Sequence, residues 1–234
     1  QCVLPGTVQN SIPAVISRIP SQPQAGLFGE DLPTTAIAFT ASDSDSVLTT
    51  ANLSCQGDGA LIDAGDCQFS GSEPNFNVVL TPNLDMNGSA NVTIAVNDGF
   101  TTVSENFLLT ITPRNDAPAF TLGSNIQHSF GALGLFQVNN FVTNISIGPS
   151  NESGQVFFPR SVTVQQGSAA IFATNPAISY SGSGAAEIGN LAYVLNGTPG
   201  TATLRVRMQD NGGTDLNGDD ETSVDFTITV NGVR

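Results

Sequence analysis

Apolar residues occupy every second position over long stretches of this chain. Within Ala90–Asn97 the positions 90, 92, 94 and 96 are all apolar, with Ala95 as the single apolar residue between them. Asp98-Gly99 follows, and an apolar-rich run resumes at Phe107–Thr112. Side chains of a β-strand point alternately to its two faces, so this pattern predicts two strands. An Asp-Gly pair between such runs is a strong hairpin signal, and we expect the chain to turn there.

The second half of the chain repeats this arrangement. Alternation over Ala202–Met208 is followed by a long polar turn, 209–220, and then by a second alternating run, Val224–Val230. Each predicted hairpin ends a segment of roughly 110 residues, close to the size of one β-sandwich domain. No segment shows a convincing helical period. We therefore predict an all-β protein made of two tandem antiparallel Greek-key β-sandwiches.

Prolines mark the predicted boundary between the two sandwiches. Pro113 and Pro118 flank Arg114-Asn-Asp-Ala117, and proline removes a backbone donor and disfavours strand pairing. A similar joint, Asn10-Ser-Ile-Pro13, precedes the first sandwich. The predicted organisation is a leading segment 1–11, a sandwich 12–114, a linker 115–118 and a sandwich 119–234.

Charge and composition exclude several classes of function. Among 234 residues there are 20 acidic and six basic side chains, giving a net charge of −14, and all six basic residues are arginine. An acidic chain without a basic patch is a poor partner for nucleic acid or anionic membranes. No apolar run reaches the length of a transmembrane helix, so we expect no membrane insertion. The absence of lysine excludes Schiff-base chemistry and Lys–Asn isopeptide crosslinks.

Catalysis finds no support in the residue pattern. His128 is the single histidine, and no serine or cysteine nucleophile stands beside it in a recognisable strand–turn–helix context. We therefore predict that the protein is not an enzyme.

The cysteines indicate an oxidising compartment. Cys55 and Cys67 flank a Gly/Asp-rich segment, a spacing that suits a hairpin closed by a disulfide. Cys2 is left over, and it is either free, bonded to another chain, or paired with one of the other two. Small buried thiols are the alternative for all three.

Acidic residues cluster where turns are predicted. Asp43 and Asp45 have alternate spacing, which points both carboxylates to one side of an extended loop. Five acids begin with Asp210 and end with Glu221 in the last predicted turn, and they repel one another unless a cation neutralises them. Calcium takes six to eight oxygen ligands, several of them carboxylates. The alternative is an ordinary solvated acidic surface.

Several motifs together carry a resemblance to a known family. They are Thr34–Asp45, Leu80–Ala90, Val96–Gly99 and Leu109–Pro118 in the first half, and Phe141–Gly154, Gln209–Thr214 and Phe226–Val230 in the second. In order and spacing they resemble bacterial cadherin-like tandem repeats of secreted and surface proteins. The resemblance covers nearly the whole chain beyond residue 12.

The resemblance implies calcium sites between successive modules. For the joint it implies the ligands Glu30, Asp85, Asn115, Asp116, Glu152 and Asp210, with Asp219 as a further candidate. The equivalent loops of the first module, with Asp43, Asp45 and Asp98, would face upstream. The first aspartate of the family's linker motif is missing here, since Thr112-Pro113 stands in its place.

The leading functional interpretation is a pair of non-enzymatic, extracellular structural or adhesive modules. Calcium would stiffen the joint, and the pair would form part of a surface stalk, adhesin or filament, with neighbouring modules or subunits and surface glycans or proteins as partners. One alternative is a filament subunit that exchanges a terminal strand or a disulfide through Cys2. Another is a carbohydrate-binding module, although the chain has no tryptophan and only two tyrosines.

Overall fold

The chain divides into two compact units, residues 1–114 and 115–234. The computed structural model describes residues 10–22, 28–168 and 170–233, and Cys2 with most of the predicted leading segment lies outside them. Within these ranges the regular structure consists of strands and short 3₁₀ turns, so the all-β prediction is confirmed. No helix in the described ranges has the length and apolarity needed to cross a membrane.

The first unit contains two four-stranded sheets. One sheet has the order β1-β3-β6-β5 and the other β2-β8-β7-β4. The strand bounds are β1 (Val15–Ile16), β2 (Phe28–Gly29), β3 (Ile37–Ser42), β4 (Leu53–Gln56), β5 (Cys67–Ser72), β6 (Asn75–Leu80), β7 (Gly88–Asn97) and β8 (Thr102–Thr112). The predicted hairpin is present as β7 and β8, which pair antiparallel with Asn97 opposite Thr102.

One hydrophobic core joins the two sheets of this unit. The alternating positions of β7 that define the sequence pattern, Ala90, Val92, Ile94 and Val96, are buried in it. Phe39 and Phe76 come from the other sheet, and their rings stack with centroids 5.9 Å apart. Burying one face of each sheet against the other is the usual solution for a β-sandwich.

The second unit repeats the two-sheet architecture. Its sheets have the orders β10-β16-β15-β12 and β13-β14-β11-β9. The strand bounds are β9 (Ala119–Leu122), β10 (Ile126–His128), β11 (Leu133–Ser146), β12 (Phe157–Val164), β13 (Phe172–Ser181), β14 (Ile188–Asn196), β15 (Gly200–Asp210) and β16 (Glu221–Val230). The second predicted hairpin is β15 and β16, connected by residues 211–220, so the turn predicted at 209–220 begins two residues later in the structure.

The first strand of each unit is split between both sheets, which the sequence pattern did not predict. In the second unit β9 pairs antiparallel with β11, while β10 pairs parallel with β16. In the first unit β1 pairs antiparallel with β3, and β2 pairs parallel with β8. The sandwiches are therefore antiparallel except where the entering segment lies beside the last strand.

A disulfide joins Cys55 and Cys67, but it does not close a hairpin. Cys55 lies in β4, which pairs with β7, and Cys67 begins β5, which pairs with β6. Because β4 and β5 belong to different sheets, the hairpin expectation for this segment is wrong. The bridge instead fastens the two sheets of the first unit to each other.

Candidate metal sites

Asp98 organises the turn between β7 and β8. Its Oδ1 accepts hydrogen bonds from the backbone N–H groups of Phe100 and Thr101, both at 2.7 Å. Its Oδ2 accepts one from the N–H of Ala14 at 3.0 Å. These donors, with that of Thr101 the strongest, hold the pKa of Asp98 below its usual range. Both oxygens of this predicted ligand thus accept backbone hydrogen bonds.

Asp43 and Asp45 lie in the loop after β3, and the carboxylate of each accepts hydrogen bonds from backbone N–H groups. Asp43 Oδ1 accepts from the backbone N–H groups of Asp45 and Ser46, at 2.8 and 3.0 Å. Asp45 Oδ2 accepts from the N–H of Ser11 at 2.9 Å, and this bond lowers the Asp45 pKa. Each of the two carboxylates thus has one oxygen engaged by backbone.

Glu73 belongs to the same loop cluster, and sequence reasoning missed it. Its two oxygens accept from the N–H groups of Asp43 and Leu48, both at 2.8 Å, and these bonds lower its pKa. Glu73 is thirty positions from Asp43 in the sequence. Only the pairing of β3 with β6 brings the two loops together, so no local motif could have found it.

Several oxygens in this region of the first unit are buried without a hydrogen-bond partner among the described residues. They are Asn10 Oδ1, Asp43 Oδ2, Asp45 Oδ1 and Ser46 Oγ. Native proteins seldom leave buried polar atoms unpartnered, and two of these four belong to carboxylates. A hard cation with oxygen ligands would satisfy them.

A second acidic group in the first unit surrounds Glu30, which is fully buried. Glu30 Oε1 accepts from the backbone N–H of Arg114 at 2.8 Å, and Oε2 accepts from Asn87 Nδ2 at 2.9 Å. The N–H of Asp85 donates to Asp31 Oδ1 at 2.8 Å, and Asp31 Oδ2 is buried without a partner among the described residues. Asp31, which was not among the predicted ligands, is thus placed beside Asp85.

In the second unit the side chain of Asn115 bonds to the β15–β16 turn and to the segment before β12. Its Nδ2 donates to Asp210 Oδ1 at 2.9 Å and to the carbonyl oxygen of Asp219 at 2.7 Å. Its Oδ1 accepts from Gln155 Nε2 at 2.7 Å. The Asp219 carboxylate caps the N–H of Glu221 instead, so Asp219 reaches this cluster through its backbone.

Glu152 is a buried acid of the second unit. It is 7% exposed, and burial raises its pKa above the usual range. Its Oε1 accepts from the backbone N–H of Asp116 at 2.8 Å. Glu152 Oε2 and Asp210 Oδ2 are both buried without a partner among the described residues. Two carboxylate oxygens in the second unit, like those in the first, are therefore buried without a hydrogen-bond partner among the described residues.

The two units build these clusters in the same way. Asn10 and Asn115 each stand three residues before a proline, and each donates its side-chain amide to the aspartate of the last hairpin turn: Asn10 to the carbonyl of Asp98 at 2.5 Å, and Asn115 to the carboxylate of Asp210. The next residue in each case donates its backbone N–H to an acid in the loop that follows β3 or β11, namely Asp45 or Glu152. The two units therefore contain equivalent hydrogen-bonding arrangements around Asn10 and Asn115.

These observations define the chain as a tandem β-sandwich protein with an acidic cluster built into each sandwich. A scan against protein-family models and a search of curated proteins both find no match. Among solved structures, human protocadherin-24 EC1-2 (form II) is 21% identical, with 92% of this chain and 99% of that chain covered and a TM-score of 0.42.

Two further solved structures illustrate the same range of similarity. Human mucin-like protocadherin EC1-2 is 9% identical, with 93% of this chain and 98% of that chain covered and a TM-score of 0.35. The titin domains Z1Z2 in complex with telethonin are 13% identical, with 97% and 100% covered and a TM-score of 0.33. The fold assigned here rests on the strand pairing described above.

Proposed function

We propose that this chain is a pair of non-enzymatic extracellular modules that bind Ca²⁺ through the acidic cluster of each sandwich. The observation that supports this most is the repeated arrangement around Asn10 and Asn115. In both units it leaves buried carboxylate oxygens without a hydrogen-bond partner among the described residues. A bound cation would compensate these oxygens and offset the repulsion among neighbouring acids.

The proposed ligands are the carboxylates and the asparagine around the two repeated arrangements that keep an oxygen without a hydrogen-bond partner among the described residues. In the first unit these are Asn10, Asp43 and Asp45, and in the second they are Glu152 and Asp210. Asp98 acts as a turn-forming residue because its oxygens accept three backbone hydrogen bonds. Calcium is favoured over zinc because the available atoms are all oxygens, from carboxylates and an amide.

The wider role we propose is a secreted or cell-surface stalk, adhesin or filament component of the kind that the bacterial cadherin-like resemblance suggests. The prediction that calcium stiffens the joint at 115–118 rests on the order of acids along the chain. The filament alternative depends on Cys2 and residues 1–9, which lie outside the described residues. The disulfide between Cys55 and Cys67 favours an oxidising compartment.

Isothermal titration with Ca²⁺, after complete chelation and dialysis, tests this proposal. We expect saturable binding by the native protein, with Asp45→Asn and Asp210→Asn each removing part of the binding. A titration with no heat, confirmed by metal analysis that finds no bound calcium, would refute it. Small-angle scattering with and without chelator tests the joint separately, because a stiffened joint predicts a change in maximum dimension.

A further inference from the structure

A cleft in the second unit borders the Asn115 cluster, since Gln155 lines the cleft and donates to Asn115 Oδ1. It has a volume of about 620 Å³, within the usual range of small-ligand sites. Its lining comes from the end of β11, the segment before β12, β12 itself and the turn after β13. The cleft thus lies where the edge strands β12 and β13 of the two sheets approach each other.

An ion pair between Arg160 and Glu187 lies in this cleft. Arg160 Nη1 donates to Glu187 Oε1 at 2.6 Å, and Nη2 donates to Oε2 at 3.2 Å, so the pair is bidentate. The side chains are 19% and 14% exposed. A guanidinium has five N–H donors and a carboxylate about four lone-pair sites, so both groups keep hydrogen-bonding capacity for a ligand.

The ion pair is held in a fixed orientation. The Arg160 guanidinium carbon lies 3.9 Å from the centre of the Phe157 ring and 4.6 Å from that of Tyr180. These two cation–π contacts and the bidentate ion pair restrict the rotation of the guanidinium. A ligand would therefore meet a preorganised donor–acceptor pair, which reduces the entropy lost on binding.

The remaining lining is divided between apolar and hydroxyl-bearing groups. Ile145, Val156 and Phe157 supply apolar surface, while Ser146, Ser153 and Ser183 supply hydroxyls. Glycine at position 182 has φ +91°, and a Cβ there would stand 2.6 Å from the carbonyl oxygen of Ala186. The tight turn that carries Ser183 into the lining therefore requires this glycine.

We propose that this cleft binds a neutral saccharide of one or two rings. A sugar ring has an apolar C–H face for the Val156–Phe157 surface and hydroxyl edges for the serines. Adjacent hydroxyls can donate to Glu187 and accept from Arg160 at the same time. The internal neutrality of the ion pair, together with the net charge of −14, disfavours an anionic ligand.

The experiment uses the full chain on an array of neutral, uronic and sulfated oligosaccharides, followed by titration of the strongest neutral ligand. Ala185→Trp places a large side chain in the cleft, because Ala185 is an exposed lining residue. Ala177→Trp is the matched control, since Ala177 is an exposed residue of β13 outside the lining. We expect Ala185→Trp to weaken binding at least tenfold and Ala177→Trp to leave it unchanged.

Every outcome of this experiment decides the proposal. It is overturned if no neutral saccharide binds, if only charged saccharides bind, or if binding survives Ala185→Trp. Each titration is run once in calcium and once in chelator. Binding in both conditions supports the cleft, whereas binding that requires calcium assigns the saccharide to a metal site and overturns it. The proposed calcium function is measured independently, so the failure of one does not imply the failure of the other.

Discussion

The side-chain amide of Asn115 donates a hydrogen bond to Asp210 Oδ1 at 2.9 Å, although the two residues are 95 positions apart. This bond positions one oxygen of Asp210 and leaves the other, Oδ2, buried without a partner among the described residues. A carboxylate held in this way is oriented in advance for a cation. Most of our predictions for the second unit follow from this relationship.

Replacing Asp210 by asparagine should remove the calcium response of the second unit. The variant keeps an oxygen that can accept from Asn115 but loses the negative charge that a cation needs. A ligand at 100 times its Kd stabilises a folded protein by about 2.7 kcal/mol. Because calcium binding stabilises the folded state, we expect the Tm of the native protein to rise when calcium is added. The Tm of Asp210→Asn should rise less.

Asp225→Asn is the matched control for that measurement. Asp225 is also an aspartate of the second unit, but its side chain is 41% exposed and paired with Arg205 at 2.7 Å. Exposed ion pairs contribute roughly 0–1 kcal/mol, so this change should have little effect on stability or on the calcium response. An equal calcium response in Asp210→Asn and Asp225→Asn would contradict the assignment of Asp210 as a ligand.

Gly212→Ala should disrupt the Asn115 cluster without changing any charge. A Cβ at position 212 would stand 1.7 Å from Asn115 Oδ1 and 2.6 Å from Gln155 Nε2, so the hydrogen bond between these two groups would be displaced. We expect a loss of about 1–3 kcal/mol in the free energy of unfolding, the usual cost of overpacking. Calcium affinity should fall as well, because Asn115 positions Asp210.

Gly154→Ala provides the comparison, since a Cβ at position 154 meets no atom within 4 Å. Denaturant unfolding followed by circular dichroism measures both variants in chelator and in calcium. If Gly212→Ala were as stable as Gly154→Ala, the close packing of Gly212 against Asn115 would be disproved.

The sequence predicted the hairpins correctly because their signal is local. In β7 and β15 the apolar residues that alternate in sequence are those buried in the cores, and Asp98-Gly99 lies between β7 and β8. The split first strand was not predicted, since β2 and β10 are two and three residues long. Segments of that length are too short to show a period.

The acidic clusters were predictable in composition but not in geometry. The resemblance suggested Asp43, Asp45 and Asp98 as ligands of one kind, yet the structure gives them different hydrogen-bonding roles. Glu73 and Gln155 were missed because both reach their clusters through residues distant in sequence. Which oxygen of a carboxylate remains available depends on the backbone donors that surround it, and no sequence motif specifies these.

Removing the disulfide with Cys55→Ala and Cys67→Ala should destabilise the first unit. The bridge closes a loop of 12 residues, which corresponds to roughly 3 kcal/mol in the loop-entropy model. We expect a lower unfolding midpoint in denaturant for the double variant. Cys2→Ser is the control, and it should leave the midpoint unchanged. A midpoint that did not differ between the two would show that the bridge contributes no stability.

Protonation of His128 should destabilise the second unit at mildly acidic pH. His128 Nε2 lies 2.9 Å from the Tyr193 hydroxyl, and the Phe136 ring is 4.2 Å away, centre to centre. Burial lowers the His128 pKa below its ordinary value of about 6.5 and raises the pKa of Tyr193 to about 12. The unfolded chain therefore takes up a proton before the folded one does.

This linkage fixes the sign of the pH effect. The contribution of neutral His128 is fully present above the unfolded pKa and is lost as pH falls below it. Between pH 7 and pH 5, His128→Gln should lose less stability than the native protein. Tyr193→Phe keeps the titrating group and should retain the native pH dependence. Thermal unfolding in chelator measures this, and equal pH dependence in His128→Gln and the native protein would contradict it.

The split first strand has a mechanical consequence for each sandwich. In the second unit the entering segment Ile126–His128 runs parallel to the departing segment Ile228–Val230. Tension applied at the two ends of the unit pulls these neighbours in opposite directions along their length. The hydrogen bonds between the two strands then bear the force together in shear, and they do not break one after another. The same geometry recurs where Phe28–Gly29 lies beside Ile111–Thr112. Each sandwich therefore contains a parallel strand pair whose hydrogen bonds resist stretching of the unit.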